Sequence, residues 1–170
     1  MAPLLRRTWS PCGQTPICSH RTRAHQKVSA IAALAIRPDR KRVRLYFRLH
    51  PDANINAPLI VSFLYHLLKQ LHAPVMLVWD RLLAHRARKV QDFVYKHSDL
   101  HVSLLPPYAP ELDPVEQVWG YLKFNPLANF APRDLASLTS AARRHARSLQ
   151  YAQSNLRSFI QHCPLPLHLN

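Results

Sequence analysis

Two acidic residues stand where a sheet could bring them together. Asp80 ends the apolar run Val75–Trp79, which predicts a short, fully buried parallel strand. Glu116 lies in the first turn of a helix predicted from Pro114 to about Phe124. In open α/β sheets reactive groups collect at the carboxyl ends of the strands. The chain between the two acids has room for one helix, one strand and one loop, which is enough to bring both to that edge.

Two carboxylates at one sheet edge could bind divalent cations. Mg²⁺ uses one or two carboxylates and keeps its other positions for water and phosphate oxygens. A pair of such ions can activate water and stabilise the leaving oxygen of a phosphodiester. A structural role is the alternative: Asp80 could cap the turn after its strand. Asp113, Pro114 and Glu116 also match the N-cap, N1 and N3 positions of a capping box. From spacing alone the structural role is the commoner one.

The elements predicted around these acids alternate between strands and helices. Besides the two above, the pattern predicts strands at 27–37, 43–49 and 100–105, and helices at 56–71, 87–97, 132–149 and 156–160. The first two strands are joined by a turn and suggest a hairpin, and Pro74 is expected to end the first helix. This order indicates an α/β layer fold. Because the chain has only 2 glycines, a Gly-rich phosphate loop is excluded.

Four stretches of the chain carry a resemblance to a known family. Leu104–Lys123, LLPPYAPELDPVEQVWGYLK, resembles the LPPYSPELNPxExxW signature of DDE-superfamily transposases, in their mariner-like insertion-sequence branch. Val75–His85, VMLVWDRLLAH, is similar to the family's strand followed by Asp, four residues and His. Arg6–Pro16, RRTWSPCGQTP, resembles the segment after the family's first catalytic strand, and Leu45–Pro58 fits the same domain. The resemblance therefore extends over most of the chain.

The resemblance implies an RNase H-like mixed sheet flanked by helices, and metal-dependent cleavage and strand transfer of DNA in transposition. It implies Mg²⁺ or Mn²⁺, with a two-ion site only in the complete domain. Asp80 matches the family's second metal-binding carboxylate and Glu116 its third. His85 matches a recurrent family histidine whose role we cannot assign, and a structural role is the commoner one. Trp119, at helical spacing from Glu116, is expected in the core behind the site.

The chain departs from the family pattern at its start. The family's first catalytic Asp precedes the segment that Arg6–Pro16 resembles, and would therefore lie upstream of Met1. Asp39 and Asp52 are the only acids before Asp80. They fall in the hairpin turn and after its second strand, so neither is expected to replace the missing acid. The expectation is a fold that lacks its first, central strand, is marginally stable or insoluble, and is inactive alone. An upstream-encoded half would complete it.

Three segments are expected along the chain. Residues 1–26 form an extended basic arm, residues 27–130 a partial RNase H-like DDE catalytic domain, and residues 131–170 a C-terminal helical segment. Cys12, Cys18, His20 and His25 match no standard zinc-site spacing, so a chance cluster is the better interpretation. The 3 cysteines give no disulfide framework, which fits a reducing compartment.

The charge indicates a polyanionic partner. There are 23 Lys and Arg against 9 Asp and Glu, a net charge of +14, which favours nucleic acid first and an anionic membrane second. Candidate contacts are the basic runs His20–Arg23, Arg37–Arg44 and Arg143–Arg147, although such runs are often only a solvated face. The family implies transposon ends and target DNA as partners, is compatible with an oligomer, and places the protein in the bacterial cytoplasm, associated with the nucleoid through DNA.

Two other functions stay open at this point. One is a non-catalytic basic protein that binds nucleic acid. The other is an organellar protein, because the first 38 residues contain no acid and many arginines, as a mitochondrial presequence does. No apolar run approaches the roughly 18 residues needed to span a bilayer, so no membrane-spanning segment is predicted.

Overall fold

A computed structural model describes residues 6–15 and 27–170 of the chain. The regular elements in this part are, in order, β1 (Val28–Ile36), β2 (Val43–Pro51), α1 (Ala57–Leu71), β3 (Val75–Trp79), α2 (Arg88–Lys96), β4 (Leu100–Leu104), α3 (Pro114–Phe124), α4 (Leu135–Tyr151) and α5 (Gln153–Gln161). Single 3₁₀ turns occupy Leu83–Arg86 and Pro110–Leu112. Every predicted strand and helix is present, with ends shifted by a few residues, and the mixed α/β class is confirmed.

Local sequence signals explain where the helices begin and end. Asn56 caps α1, since its side-chain oxygen accepts a hydrogen bond of 3.1 Å from the Leu59 amide. The helix ends at Leu71, where His72 takes a left-handed conformation with φ of 49°. The helix thus ends before Pro74, as predicted, and the proline bars its continuation. Asp134 and Ser137 form a reciprocal capping box, which starts α4 later than the predicted residue 132.

The strands form two separate pairs. β1 and β2 make an antiparallel hairpin, from Val28 opposite Pro51 to Ile36 opposite Val43. β3 and β4 are parallel, from Val75 opposite Leu100 to Trp79 opposite Leu104. Within residues 27–170, no strand pairing joins the two sheets. One edge of β1 and one edge of β3 therefore have no strand partner in that part of the chain.

Two hydrophobic cores hold these sheets. The first, called the hairpin core, packs β2 against α3, α4 and α5, and its fully buried members include Val43, Val118 and Leu156. The second, called the β3 core, packs β3 against α1 and α2 and includes Leu64, Trp79 and Val90. Ile31 of β1 packs on the β3 core, whereas other apolar β1 side chains pack on the hairpin core. β1 therefore contacts both cores.

β3 is buried on one face only, so the prediction of full burial was wrong. Trp79 is 8% exposed, but Met76 is 66% and Val78 44% exposed. The helices α1 and α2 pack on the face that carries Leu77 and Trp79. No part of the described chain covers the opposite face, and this leaves two apolar side chains in contact with solvent. The described helices include none long and apolar enough to cross a bilayer.

Candidate active site

Asp80 directly follows β3 and is held by two contacts on one of its oxygens. Oδ1 accepts a hydrogen bond of 3.0 Å from the Leu82 amide. The same oxygen lies 2.9 Å from Nδ1 of His85. Oδ2 makes no hydrogen bond to any residue that the structure describes, and the side chain is 56% exposed. Asp80 therefore does cap the turn after its strand, but with one oxygen, and the other is accessible to a ligand.

His85 is fixed between Asp80 and the aromatic ring at the end of β3. A 3₁₀ turn, Leu83–Arg86, folds the chain back so that the imidazole stacks on Trp79, with ring centroids 4.2 Å apart and planes 6° from parallel. Gln91 donates to the His85 carbonyl at 3.1 Å. The imidazole side chain is 18% exposed. These contacts give the histidine at the recurrent family position a specific partner, the Asp80 carboxylate.

Asp113 is a third carboxylate near this site. It caps α3, accepting a hydrogen bond of 3.0 Å from the Val115 amide. Burial raises the pKa of Asp113 most, the bond from Val115 lowers it, and the negative charge of Asp80 raises it further. From the sequence, Asp113 was predicted only as a helix cap. The signal that could have identified it is the acid itself, which replaces Asn in the family signature.

Glu116 is exposed, and its carboxylate does not cap α3. The predicted capping box does not form, because Asp113 bonds the Val115 amide, and the Glu116 amide bonds the backbone oxygen of Asp113 at 3.0 Å. Partial burial raises the pKa of Glu116 most, and the negative charges of Asp113 and Asp80 raise it further, against an opposite effect of Lys123. Its side chain makes no hydrogen bond or ion pair within residues 6–15 and 27–170. Glu116 is therefore available to a ligand, within electrostatic range of Asp80.

The donor atoms fit a hard divalent cation, but the set is incomplete. Carboxylate oxygens are the ligands that Mg²⁺ and Mn²⁺ favour. Burial raises the pKa values of Asp113 and Glu116 most, and a cation would relieve the repulsion between carboxylates that raises them further. However, no three His, Cys, Asp or Glu residues of the described chain are grouped closely enough to bind a metal ion by themselves. The described residues therefore offer carboxylate oxygens that a divalent cation could use, but not a complete set of metal ligands.

Other residues considered from the sequence lie elsewhere. Asp39 accepts from the Lys41 amide in the β1–β2 turn, and Asp52 follows β2 with φ of 49°. Neither is among the charges that shift the pKa of Asp113 or Glu116. Trp119 packs partly buried against the hairpin core, which confirms it as a core residue. Cys12 is an exposed free thiol, whereas the other residues of the zinc hypothesis, Cys18, His20 and His25, lie outside the described residues.

Comparison with known proteins agrees with these observations. A family model of the DDE superfamily endonucleases matches residues 2–139. A structure of the Mos1 transposase paired-end complex with the left transposon end superposes with a TM-score of 0.69 at 18% identity, covering 98% of this chain and 49% of that one. The Mos1 mariner paired-end complex with Mn gives a TM-score of 0.62 at 17% identity, covering 95% and 49%. No curated protein sequence matches.

The structural matches confirm the predicted RNase H-like fold, and the chain spans about half the length of the Mos1 structures. The family match includes Asp80, Asp113 and Glu116 and covers well over half of the chain. The chain therefore belongs to the DDE superfamily of endonucleases.

Proposed function

We propose that this chain supplies two carboxylates, Asp80 and Glu116, of a metal-dependent endonuclease that cleaves and joins DNA in transposition. The observation that carries this proposal is that each residue keeps carboxylate oxygen free of contacts with the described residues. After burial and Asp113, the charge of Asp80 also contributes to the raised pKa of Glu116. Structural capping accounts for only one oxygen of Asp80 and for no part of the Glu116 side chain. Besides burial, the charge of Asp80 raises the pKa of Asp113, and the charge of Asp113 raises the pKa of Glu116. Asp113 is therefore a further candidate ligand.

Mg²⁺ or Mn²⁺ is the cofactor that suits these oxygens. When bound, such ions activate water and stabilise the leaving oxygen of the phosphodiester. Oδ2 of Asp80 and the Glu116 carboxylate would hold the ion in this chain. His85 and the Leu82 amide hold Oδ1, so they orient Asp80 and restrict which of its oxygens meets the ion.

We further propose that the chain is inactive alone, and that a strand carrying one more Asp comes from a separate polypeptide segment. The unpaired edges of β1 and β3 support this, because a strand inserted between them would join the two sheets into one. DNA of element ends and of the target would be the partners, with oligomerisation and a nucleoid location in bacteria as parts of the same proposal.

A non-catalytic role in nucleic-acid binding is the second candidate. The net charge of +14 favours it. The lack of a complete metal-binding group among the described residues is also compatible with it. The two candidate functions differ in what they require of Asp80 and Glu116. Metal-dependent cleavage requires both carboxylates, whereas DNA binding by basic residues requires neither.

The proposal is tested by incubating supercoiled plasmid with Mn²⁺ and either the chain alone or the chain co-expressed with the segment encoded immediately upstream. We expect no nicking by the chain alone and nicking by the co-expressed pair. Nicking by the pair should disappear with Asp80→Ala or Glu116→Gln and persist with Asp92→Asn, a surface acid on α2. Nicking by the chain alone that is lost on Asp80→Ala would contradict the need for a second segment. Full activity of both site variants would contradict the assignment of the carboxylates.

A further inference from the structure

A basic groove lies between β2 and α4, in contact with the hairpin core and built from none of the site carboxylates. It has a volume of about 420 Å³ and is lined by Phe47, Arg48, Leu49 and His50 of β2 and by Arg143, Arg147 and Gln150 of α4. All of its ionisable side chains are cationic or, in the case of histidine, able to become so. None of the 9 acids of the sequence lines it. The groove is therefore a region of concentrated positive charge.

The arginines that line the groove have no acidic partner in the described part of the chain. Arg143 and Arg147 are one turn apart on α4 and both are exposed, so their like charges repel each other along the helix. The Arg48 guanidinium instead lies on the α1 side of β2, where it donates to the Ser62 hydroxyl at 3.0 Å. The two ion pairs found in the described part of the chain, Asp80–His85 and Arg88–Asp92, involve none of these three arginines. An anion in the groove would relieve a repulsion that the chain itself leaves uncompensated.

The edge of β2 leads into the same groove. Gln153 bonds both backbone groups of Val43, and Gln150 donates to the Leu45 oxygen at 2.7 Å. The two-residue repeat of a strand places the backbone groups of Phe47 and Leu49 on this same edge. The amides of Phe47 and Leu49 therefore face the groove, which both residues line. Backbone amides and arginines together are a common donor set for phosphate oxygens.

We propose that this groove binds a backbone phosphate of DNA, with Arg143 and Arg147 as its principal contacts and the backbone amides of Phe47 and Leu49 on the β2 edge. The proposal deepens the proposed function, because it names one surface through which a DNA endonuclease of this charge holds its substrate. The contact carries no base specificity, since it addresses the phosphate alone. It holds the duplex through a surface separate from the carboxylates that would cleave it.

The test compares two double variants of equal charge by fluorescence anisotropy with a short labelled duplex of arbitrary sequence. Arg143→Gln with Arg147→Gln removes the groove charges, whereas Arg133→Gln with Arg144→Gln removes two exposed charges outside the groove. All four positions are exposed, so both variants should melt as the wild-type chain does. We expect the groove variant to bind DNA about ten-fold more weakly, with the slope of log affinity against log salt reduced by about 1 to 2. The control variant should change affinity less than about two-fold.

Two results would overturn the groove assignment. Equal weakening by both variants would show that diffuse charge binds the DNA, and unchanged binding by the groove variant would show that the groove does not. If inorganic phosphate raised the melting temperature of the wild-type chain while the groove variant still bound DNA normally, the groove would be a site for free anions and not for DNA. Failure of the wild-type chain to bind duplex at all would instead count against DNA as the partner in the proposed function.

Discussion

The imidazole of His85 lies with Nδ1 2.9 Å from Oδ1 of Asp80 while its ring stacks on Trp79, so one side chain connects the end of β3 to the first carboxylate of the site. The contact leaves Oδ2 of Asp80 without a partner among the residues that the structure describes. A residue that orients a metal-binding carboxylate in this way typically contributes to affinity without touching the ion. The separate effects of the ring and of its nitrogen can therefore be measured.

His85→Phe retains a ring that can stack on Trp79 and removes the nitrogen that contacts Asp80. We expect the affinity for Mn²⁺ to fall roughly 10-fold, with little change in melting temperature. Calorimetric titration of the variant with Mn²⁺ measures this. His97→Phe is the matched control, because His97 stacks on Phe93 with centroids 4.0 Å apart, far from Asp80 in sequence and on another element. Equal losses in the two variants would point to a general effect of replacing a stacked histidine.

Asp113→Asn should stabilise the chain at neutral pH in the absence of metal. Burial raises the pKa of Asp113 above its ordinary value of 3.8, so the folded state holds the proton more tightly than the unfolded chain does. The protonated carboxyl of Asp113 therefore contributes to the stability of the fold. This contribution is complete below the ordinary pKa and is lost as the pH rises through the raised pKa of the folded state. Asn caps a helix as well as Asp does, so only the charge is removed.

We expect the melting temperature of Asp113→Asn to exceed that of the wild-type chain by roughly 2 °C at neutral pH, and the difference to vanish below about pH 4. Asp92→Asn, on the exposed surface of α2, should show no such gain at neutral pH. A destabilised Asp113→Asn at neutral pH would mean that the charged form makes a favourable contact in the fold, so that the charge of Asp113 stabilises the chain.

Met76→Lys should reduce aggregation without loss of stability, because Met76 is 66% exposed on the uncovered face of β3. Leu77→Lys, one residue along, places a charge against the β3 core and should unfold it. Light scattering and thermal melting of the two variants separate these effects. If Met76→Lys destabilised the chain as much as Leu77→Lys, that face of β3 would have to be covered in solution, for example by a second copy.

Leu156→Ala should cost about 3 kcal/mol of the free energy of unfolding, because Leu156 is fully buried in the hairpin core. Urea denaturation measures the change. Leu83→Ala removes the same atoms from a side chain that is 80% exposed and should change stability by less than about 0.5 kcal/mol. Similar values for the two would show that α5 does not pack on β2 as described.

Some of the fold follows from the sequence because its causes are local. Asn56 three residues before Leu59 predicts the cap of α1, and the alternation in Val43–Leu49 predicts a strand. The burial of β3 was not predictable in the same way. An apolar run shows that a strand can be buried on both faces, but not whether the described chain supplies an element to cover the second face.

The candidate site was likewise only partly predictable from the sequence. The position of Asp80 after an apolar strand and of Glu116 in the first turn of a helix marked both as candidates. The contact between Asp80 and His85 depends on a 3₁₀ turn that no periodicity indicates. Asp113 was not predicted as a possible ligand, because its capping role already explained an acid at that position. The electrostatic interaction among the three carboxylates arises from tertiary packing, which places α3 near the end of β3.

The most direct measurement of whether Asp80 and Glu116 bind one divalent cation together is a titration of the chain with Mn²⁺, followed by the electron paramagnetic resonance signal of the free ion. We expect the wild-type chain to bind Mn²⁺, and Asp80→Asn and Glu116→Gln each to weaken binding by about 10-fold or more. The double variant should bind Mn²⁺ more weakly than either single one, because each carboxylate supplies ligands to the same ion. Binding by Glu116→Gln that equals the wild-type value, or single variants that each keep half of the bound Mn²⁺ at wild-type affinity, would contradict a shared metal site.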